Sequence, residues 1–386
     1  MNRFRSSLLL AATGLAAAAL RAQEPAPTPT PAPEPVATPA PSPAPAPAPG
    51  PEGPAPAPPP ASPSATYFNP AMAVIGNFLA IAGHNPIDDQ PSLQLRESEL
   101  SLQAVVDPYA RADFFLSFSN DGVEVEEGFV TFLHLPWDLL VKAGKFKAQF
   151  GKVNTMHLHV LPWADEPLPL VNLLGSEEGW SDAGVSVAKL IELPGDTFSE
   201  LTAQVFRGET VGLFAAPSRS KLAFDAQYRL YRDFGDDHNL EIGFSYGRGF
   251  NGVATDSTTE LGNTHLVYRW KPLRGKPYRS FILRSELFLS RREQEGPTQK
   301  ATGFYVSGDY QLSKRWFVGA RYEFSDRASD ANARDRGEAV TLTFWPSEFS
   351  QVRGEYRRRR YAEGVEANEA LIQLQFSIGA HGAHPF

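Results

Sequence analysis

Two histidines one residue apart, His157 and His159, stand in a stretch that also carries Asn154, Asp165, Glu166, Glu177 and Glu178. In an extended backbone residues i and i+2 lie on one side. The two imidazoles can then share a divalent metal such as zinc with a nearby carboxylate. Ordinary loop hydrogen bonding competes with that reading, because two histidines alone do not make a site. No other cofactor is implied. The chain has no cysteine, which removes thiol catalysis, thiolate metal sites and disulfides together. His-Glu-x-x-His does not occur, and the carboxylates fall at spacings that a polar strand face gives anyway. The sequence reads as that of a non-enzyme.

The remaining candidate charges sit on strands. Between residues 303 and 324, Phe304, Val306, Gly308 and Tyr310 alternate with Tyr305, Ser307, Asp309 and Gln311; after a turn, Trp316, Val318, Ala320, Tyr322 and Phe324 alternate with Phe317, Gly319, Arg321 and Glu323. One face is apolar and the other mostly small, polar or charged. The same parity sets Phe224, Tyr228, Leu283, Leu287 and Leu374 outward. It sets Arg111, Asp113, Asp225, Arg229, Arg284, Glu286, Arg321, Glu323, Arg353 and Glu355 inward, where they line a pore or pair across the wall.

Such segments recur from residue 71 to residue 380 with no helix-period stretch between them, which excludes a helix-covered sheet. About sixteen strands can be counted, the even number that single-chain bacterial barrels use. An all-β fold follows: an antiparallel transmembrane β-barrel, apolar outside and polar inside. Alternate connections are tight, as at Asp107-Pro108, Leu135-Pro136, Pro194-Gly195 and Ser313-Lys314; most of the opposite ones, such as 291–300 and 325–336, are longer and polar. Tyr109, Trp137, Phe234, Trp270, Tyr278, Trp316, Trp345 and Phe349 gather beside the tight turns, as an interfacial girdle would.

Composition agrees with a polar lumen. Mean hydropathy is −0.28 although the chain holds 26 Phe, 12 Tyr and 6 Trp. The net charge of −8 argues against a nucleic-acid partner, which would meet a basic surface. Residues 1–22, with Arg3, Arg5 and an apolar run, read as a cleaved export signal. Residues 23–66 are nearly all Pro and Ala and read as a disordered periplasmic linker, long enough to approach the cell wall. Residues 67–386 are left for the barrel.

The segment KAGKFKAQFGKVN, 142–154, follows Glu126-Glu127-Gly128-Phe129-Val130 and resembles the G-x-F-K-x-x-F-G segment of the phosphate-selective porin O and P family. The residues after it, Asn154, His157, His159, Pro162, Asp165 and Pro167, are similar to a branch often labelled a zinc-linked outer-membrane receptor. The resemblance implies a sixteen-stranded trimeric channel with a basic lumen for anions, whereas the charges read inward here are of both signs.

The connection 151–180 is too long and too apolar to be left in water. It is expected to fold into or across the pore as a constriction that carries His157 and His159 and sets Asp165, Glu166, Glu177 and Glu178 opposite wall arginines such as Arg111 or Arg321. The function expected is a channel for passive diffusion of small hydrophilic solutes, anions among the candidates, across the outer membrane of a Gram-negative-type bacterium. The alternative is a structural or metal- or ligand-binding barrel tied to the periplasm by its proline segment. Expected partners are outer-membrane lipid, two further copies in a homotrimer, and lipopolysaccharide phosphates meeting Arg358 and Arg360.

Overall fold

The computed structural model describes residues 70–379, except positions 121, 134, 196, 217, 273 and 275–277. The expected signal at 1–22 and linker at 23–66 lie outside the described residues. The strands are β1 (Ala71–His84), β2 (Leu93–Asp107), β3 (Ala110–Ser119), β4 (Gly122–Phe132), β5 (Leu139–Lys147), β6 (Ser181–Leu193), β7 (Thr197–Phe206), β8 (Ala223–Phe234), β9 (His238–Phe250), β10 (Thr258–Trp270), β11 (Phe281–Arg292), β12 (Gln299–Gln311), β13 (Trp316–Arg327), β14 (Asp330–Ser347), β15 (Ser350–Arg360) and β16 (Glu366–Gly379). Each pairs antiparallel with its neighbours in sequence, and β1 pairs with β16 from Ala73 opposite Gly379 to His84 opposite Asn368. The sheet therefore closes and leaves no edge.

Alternation along the strands sets the two faces. On β8, Phe224 and Tyr228 are exposed outward while Asp225 and Gln227 are buried inward; on β16, Ile372, Leu374 and Phe376 are exposed while Gln373 and Gln375 are buried. Apolar side chains presented to the outside all round a closed sheet suit a hydrocarbon surrounding. Tyr109, Trp137, Phe234, Tyr278, Trp316 and Phe349 are exposed beside the short connections.

Two sequence expectations change. The segment 325–336 is not a loop: β13 and β14 continue as a paired ribbon to Arg327 opposite Asp330, held by Arg334–Asp326 at 2.6 Å and Arg327–Asp335 at 3.0 Å. Its polar composition reflects a ribbon in water rather than an irregular chain. The stretch between β5 and β6 departs from the reading that no helical stretch lies between the strands. It contains a short helix, α1 (Leu168–Leu174), begun by Pro167 and Pro169 and stopped by Gly175 at φ +94°. Only seven residues long, α1 is too short for a helical period to stand out in the sequence.

The packed interior is unusual for a polar lumen. Phe146, Phe150, Trp163, Trp180, Phe206, Phe214, Phe288 and Tyr305 form one buried cluster with Leu170, Leu173 and Leu174 of α1. Burying an aromatic side chain removes ~150–250 Å² from water, about 4–6 kcal/mol of transfer free energy before ordering costs. This apolar contact draws the insert into the barrel, and the polar contacts decide where it stops.

Candidate functional site

The insert leaves and rejoins the wall at one point. The Ala148 amide donates to the Trp180 carbonyl at 2.9 Å, continuing the ladder between β5 and β6. Asn154 clamps this neck: its Nδ2 donates to the carbonyls of Ala148 (2.9 Å) and Trp180 (3.0 Å), and its Oδ1 accepts from the Trp180 amide (2.7 Å). Two glycines of the 142–154 segment are required here. At Gly144, φ +144°, a Cβ would stand 2.6 Å from the Phe129 Cα on β4; at Gly151, φ +69°, it would stand 2.3 Å from Glu286 Oε2. The Gly151 turn feeds two successive amides to that carboxylate, Lys152 N at 2.9 Å and Val153 N at 2.7 Å, while Tyr305 donates its hydroxyl at 2.7 Å. The Lys152 ammonium reaches Glu241 on β9 at 2.9 Å.

The insert then crosses the lumen to β2–β4. His157 donates from Nδ1 to Glu99 and from Nε2 to Glu127, both at 2.6 Å. Burial opposes a charge on this imidazole, but hydrogen bonds to Glu127 and Glu99 outweigh it and push His157 up to about 10. His159 lies beside it, Nδ1 being 3.7 Å from Glu97 and 3.6 Å from Glu99. The carboxylates nearest the histidine pair thus come from the wall, not from the loop acids.

Two β-bulges assemble this corner. Between β1 and β2, Asn77 faces Glu97 and Phe78 faces Leu95, so Arg96 is the extra residue; between β3 and β4, Phe115 faces Glu127 and Leu116 faces Val125, so Glu126 is extra. Bulges re-aim side chains. Here each one turns two consecutive charged residues toward the lumen, Arg96 with Glu97 and Glu126 with Glu127.

Past Trp163 the chain docks on β13 and β15, which lie across the β1–β16 seam from β2. Asp165 meets three guanidinium groups: Arg321 at 2.6 Å, Arg357 at 2.9 Å and Arg359 at 2.6 Å. Burial alone would raise its carboxyl, but Arg321, Arg359 and Arg357 outweigh it and hold it well below the usual carboxylate range. Arg353 donates to the carbonyls of Leu161 (3.0 Å) and Trp163 (2.8 Å), and Arg321 stacks 4.8 Å over the Trp163 ring. Glu355 accepts from the Ala164 amide at 2.8 Å and Glu323 from the Leu168 amide at 3.0 Å. Arg96 reaches Glu166 at 2.6 Å.

Of the residues singled out from sequence, the structure therefore brings together Glu286, Arg321, Glu323, Arg353, Glu355, His157, His159, Asp165 and Glu166, all around the insert. Arg321, Glu323, Arg353 and Glu355 face inward but are buried beneath it. Arg111 does not oppose the loop acids; it pairs along its own strand with Asp113 at 2.7 Å. Arg229 pairs with Glu200 (3.1 Å), Arg284 with Asp309 (2.5 Å), and the buried Asp225 carboxylate has no hydrogen-bond partner. Glu177 and Glu178 are exposed at the rim of a cavity of about 850 Å³ that opens at the end opposite the short turns and reaches Arg96, Asp165, Arg357 and Arg359. Arg358 and Arg360, on the outer face, are matched by Glu366 at 2.7 and 3.5 Å. Sequence reasoning missed Arg96, Glu97, Glu99 and Arg359. Glu97 and Glu99 carried a usable signal, their i, i+2 spacing, whereas the bulge that adds Arg96 has none.

The barrel closes at sixteen strands with a chain segment folded across its lumen, and solved structures share that sheet. Its fold is that of outer-membrane porins. The chain is similar to OprB of Pseudomonas putida (TM-score 0.57, 10% identity, 82% of this chain and 95% of that one) and to an anion-selective porin from Comamonas acidovorans (TM-score 0.55, 11% identity, 80% and 98%). It is also similar to the outer membrane channel DcaP of Acinetobacter baumannii (TM-score 0.53, 12% identity, 80% and 96%). In sequence it matches an uncharacterized protein of Aquifex aeolicus, 29% identical over 344 residues, 78% of this chain and 72% of the relative. No family model matches.

Proposed function

We propose that the protein is an outer-membrane channel for passive diffusion of small hydrophilic solutes, narrowed by its 148–180 insert. One observation carries the reading: inside a closed barrel, the insert is bonded in turn to β9 and β11, to β2 and β4, and to β13 and β15. A segment so placed sets the free cross-section, because the wall itself is too rigid to change width. Solutes enter through the 850 Å³ outer cavity, whose lining carries both signs, and sorting there is by size and local charge.

A preference for anions is supported on the far side of the insert. Arg111 and Arg229 keep 45% and 32% of their side chains open, and the likeness of residues 142–154 to the phosphate-selective porins points the same way. Assembly as a homotrimer and tethering to the cell wall through residues 23–66 complete the proposal.

Planar-bilayer recording tests it. The folded full-length protein is expected to give stepwise current, and replacing residues 156–176 with a short Gly-Ser linker is expected to raise single-channel conductance severalfold. No current from folded protein refutes the channel. Unchanged conductance in the shortened barrel removes the insert from the pore.

A further inference from the structure

We propose that the corner between β2, β4 and the insert binds a first-row divalent transition cation through Glu97, Glu99, Glu126 and His159. Distance supports it first. Ligand atoms of Glu97, Glu99 and Glu126 lie within 4.8 Å of one another, as do those of Glu99, His157 and His159. Two ligands about 2.1 Å from one tetrahedral metal are about 3.4 Å apart. The separations from His159 Nδ1 to Glu97 and Glu99, 3.7 and 3.6 Å, need to shrink by only a few tenths.

The second observation is independent of spacing. Glu97 is 2% exposed and its Oε2 is buried with no hydrogen-bond partner, as is Oε2 of Glu126. A buried, unmatched carboxylate oxygen is costly, and a cation is the partner that removes the cost. Charge agrees. Four carboxylates, those of Glu97, Glu99, Glu126 and Glu127, converge here. With His159 set aside as a neutral ligand and His157 counted as a cation, the ion pairs within 4 Å among the described residues bring two positive charges, His157 and Lys147, the latter 3.3 Å from Glu126.

His157 then has a separate task. By donating to Glu99 and Glu127 it fixes the ligand Glu99 from behind, as outer partners of metal ligands do. One imidazole among carboxylates selects zinc, manganese or iron over calcium, which takes oxygen ligands alone. Both bulges acquire a reason. Without the extra residue in β4, Glu126 would not face the lumen beside Glu127.

The site does not depend on conduction, so it is tested in detergent. The full-length protein, carrying no histidine tag and stripped with chelator, is titrated calorimetrically with Zn²⁺, with Ca²⁺ as control. One zinc per chain is expected, weakened at least tenfold by Glu97→Gln and by His159→Gln and unaffected by Asp225→Asn. Cobalt in place of zinc should show the visible bands of a low-coordinate nitrogen and oxygen site. Heat-modifiable migration on gels establishes that each variant is folded, and Glu126→Gln replaces any that is not. Absence of saturable zinc binding, equal affinity for calcium, or full affinity in the folded variants each overturns the proposal.

Discussion

Asp165→Asn keeps the shape of the side chain and removes its charge. Three buried guanidinium groups would lose a carboxylate, but not equally. Arg321 retains Glu323 at 3.1 Å and Arg357 retains Glu369 at 2.9 Å, whereas the next carboxylate from Arg359 is Asp88 at 3.9 Å. The change therefore orphans about one buried charge, worth about 3–5 kcal/mol. Because the barrel ladder is untouched, the loss falls on docking of the insert rather than on global unfolding. At about 1.4 kcal/mol per decade, the undocked population of residues 160–175 rises by roughly two to four orders of magnitude. Hydrogen exchange of those amides should accelerate accordingly, and chymotrypsin should cut near Trp163 in barrels that still migrate as folded. Adding Arg359→Gln should restore much of the protection, since it removes the orphan. Wild-type protection in folded Asp165→Asn would show that the arginine cluster does not hold the insert.

Gly151→Ala should lower the temperature of the heat-modifiability transition, because φ +69° and the 2.3 Å approach to Glu286 together cost at least about 1 kcal/mol. Acidification gives a directional test. The Asp165 carboxyl is lower in the folded protein than in the free chain, so its stabilisation is complete above the ordinary carboxylate value of about 3.9 and is lost as pH falls through the depressed one; its share of the protection of residues 160–175 should fail only under strong acid, whereas burial pushes Glu166 up to about 7, so the share of Glu166 weakens as pH rises through 7. Cysteines replacing Arg111 and Arg229 should react with an impermeant thiol reagent, whereas Arg321→Cys and Gln373→Cys should react only after residues 156–176 are replaced. Asn154→Ala should free the neck and broaden the distribution of single-channel conductances.

Alternation alone made the barrel legible. A strand side chain has two choices of direction, so Phe224 against Asp225 or Leu374 against Gln373 reports the wall without knowledge of its neighbours. Arg96 and Glu126 escaped because a bulge spends one residue without turning the chain over, and nothing in Leu-Arg-Glu-Ser-Glu or Val-Glu-Glu-Gly announces where it falls. The partners of Asp165 were illegible for another reason. Some 156 to 194 positions separate it from its arginines, and only the closed circle of strands brings them opposite. That the insert would fold inward followed from its leucines and tryptophan, but its course around the wall did not.

The neck at Ala148 and Trp180 separates two problems that most enclosed sites must solve together. Since the excursion starts and finishes on the same rung, adding or removing residues between these points shifts no strand past its neighbour. Closing a longer excursion costs only about 0.6 kcal/mol for each doubling of length. The cylinder thus behaves as a housing with an exchangeable cartridge: aperture, charge and ion affinity can be rewritten within some thirty positions while the surrounding staves keep their places.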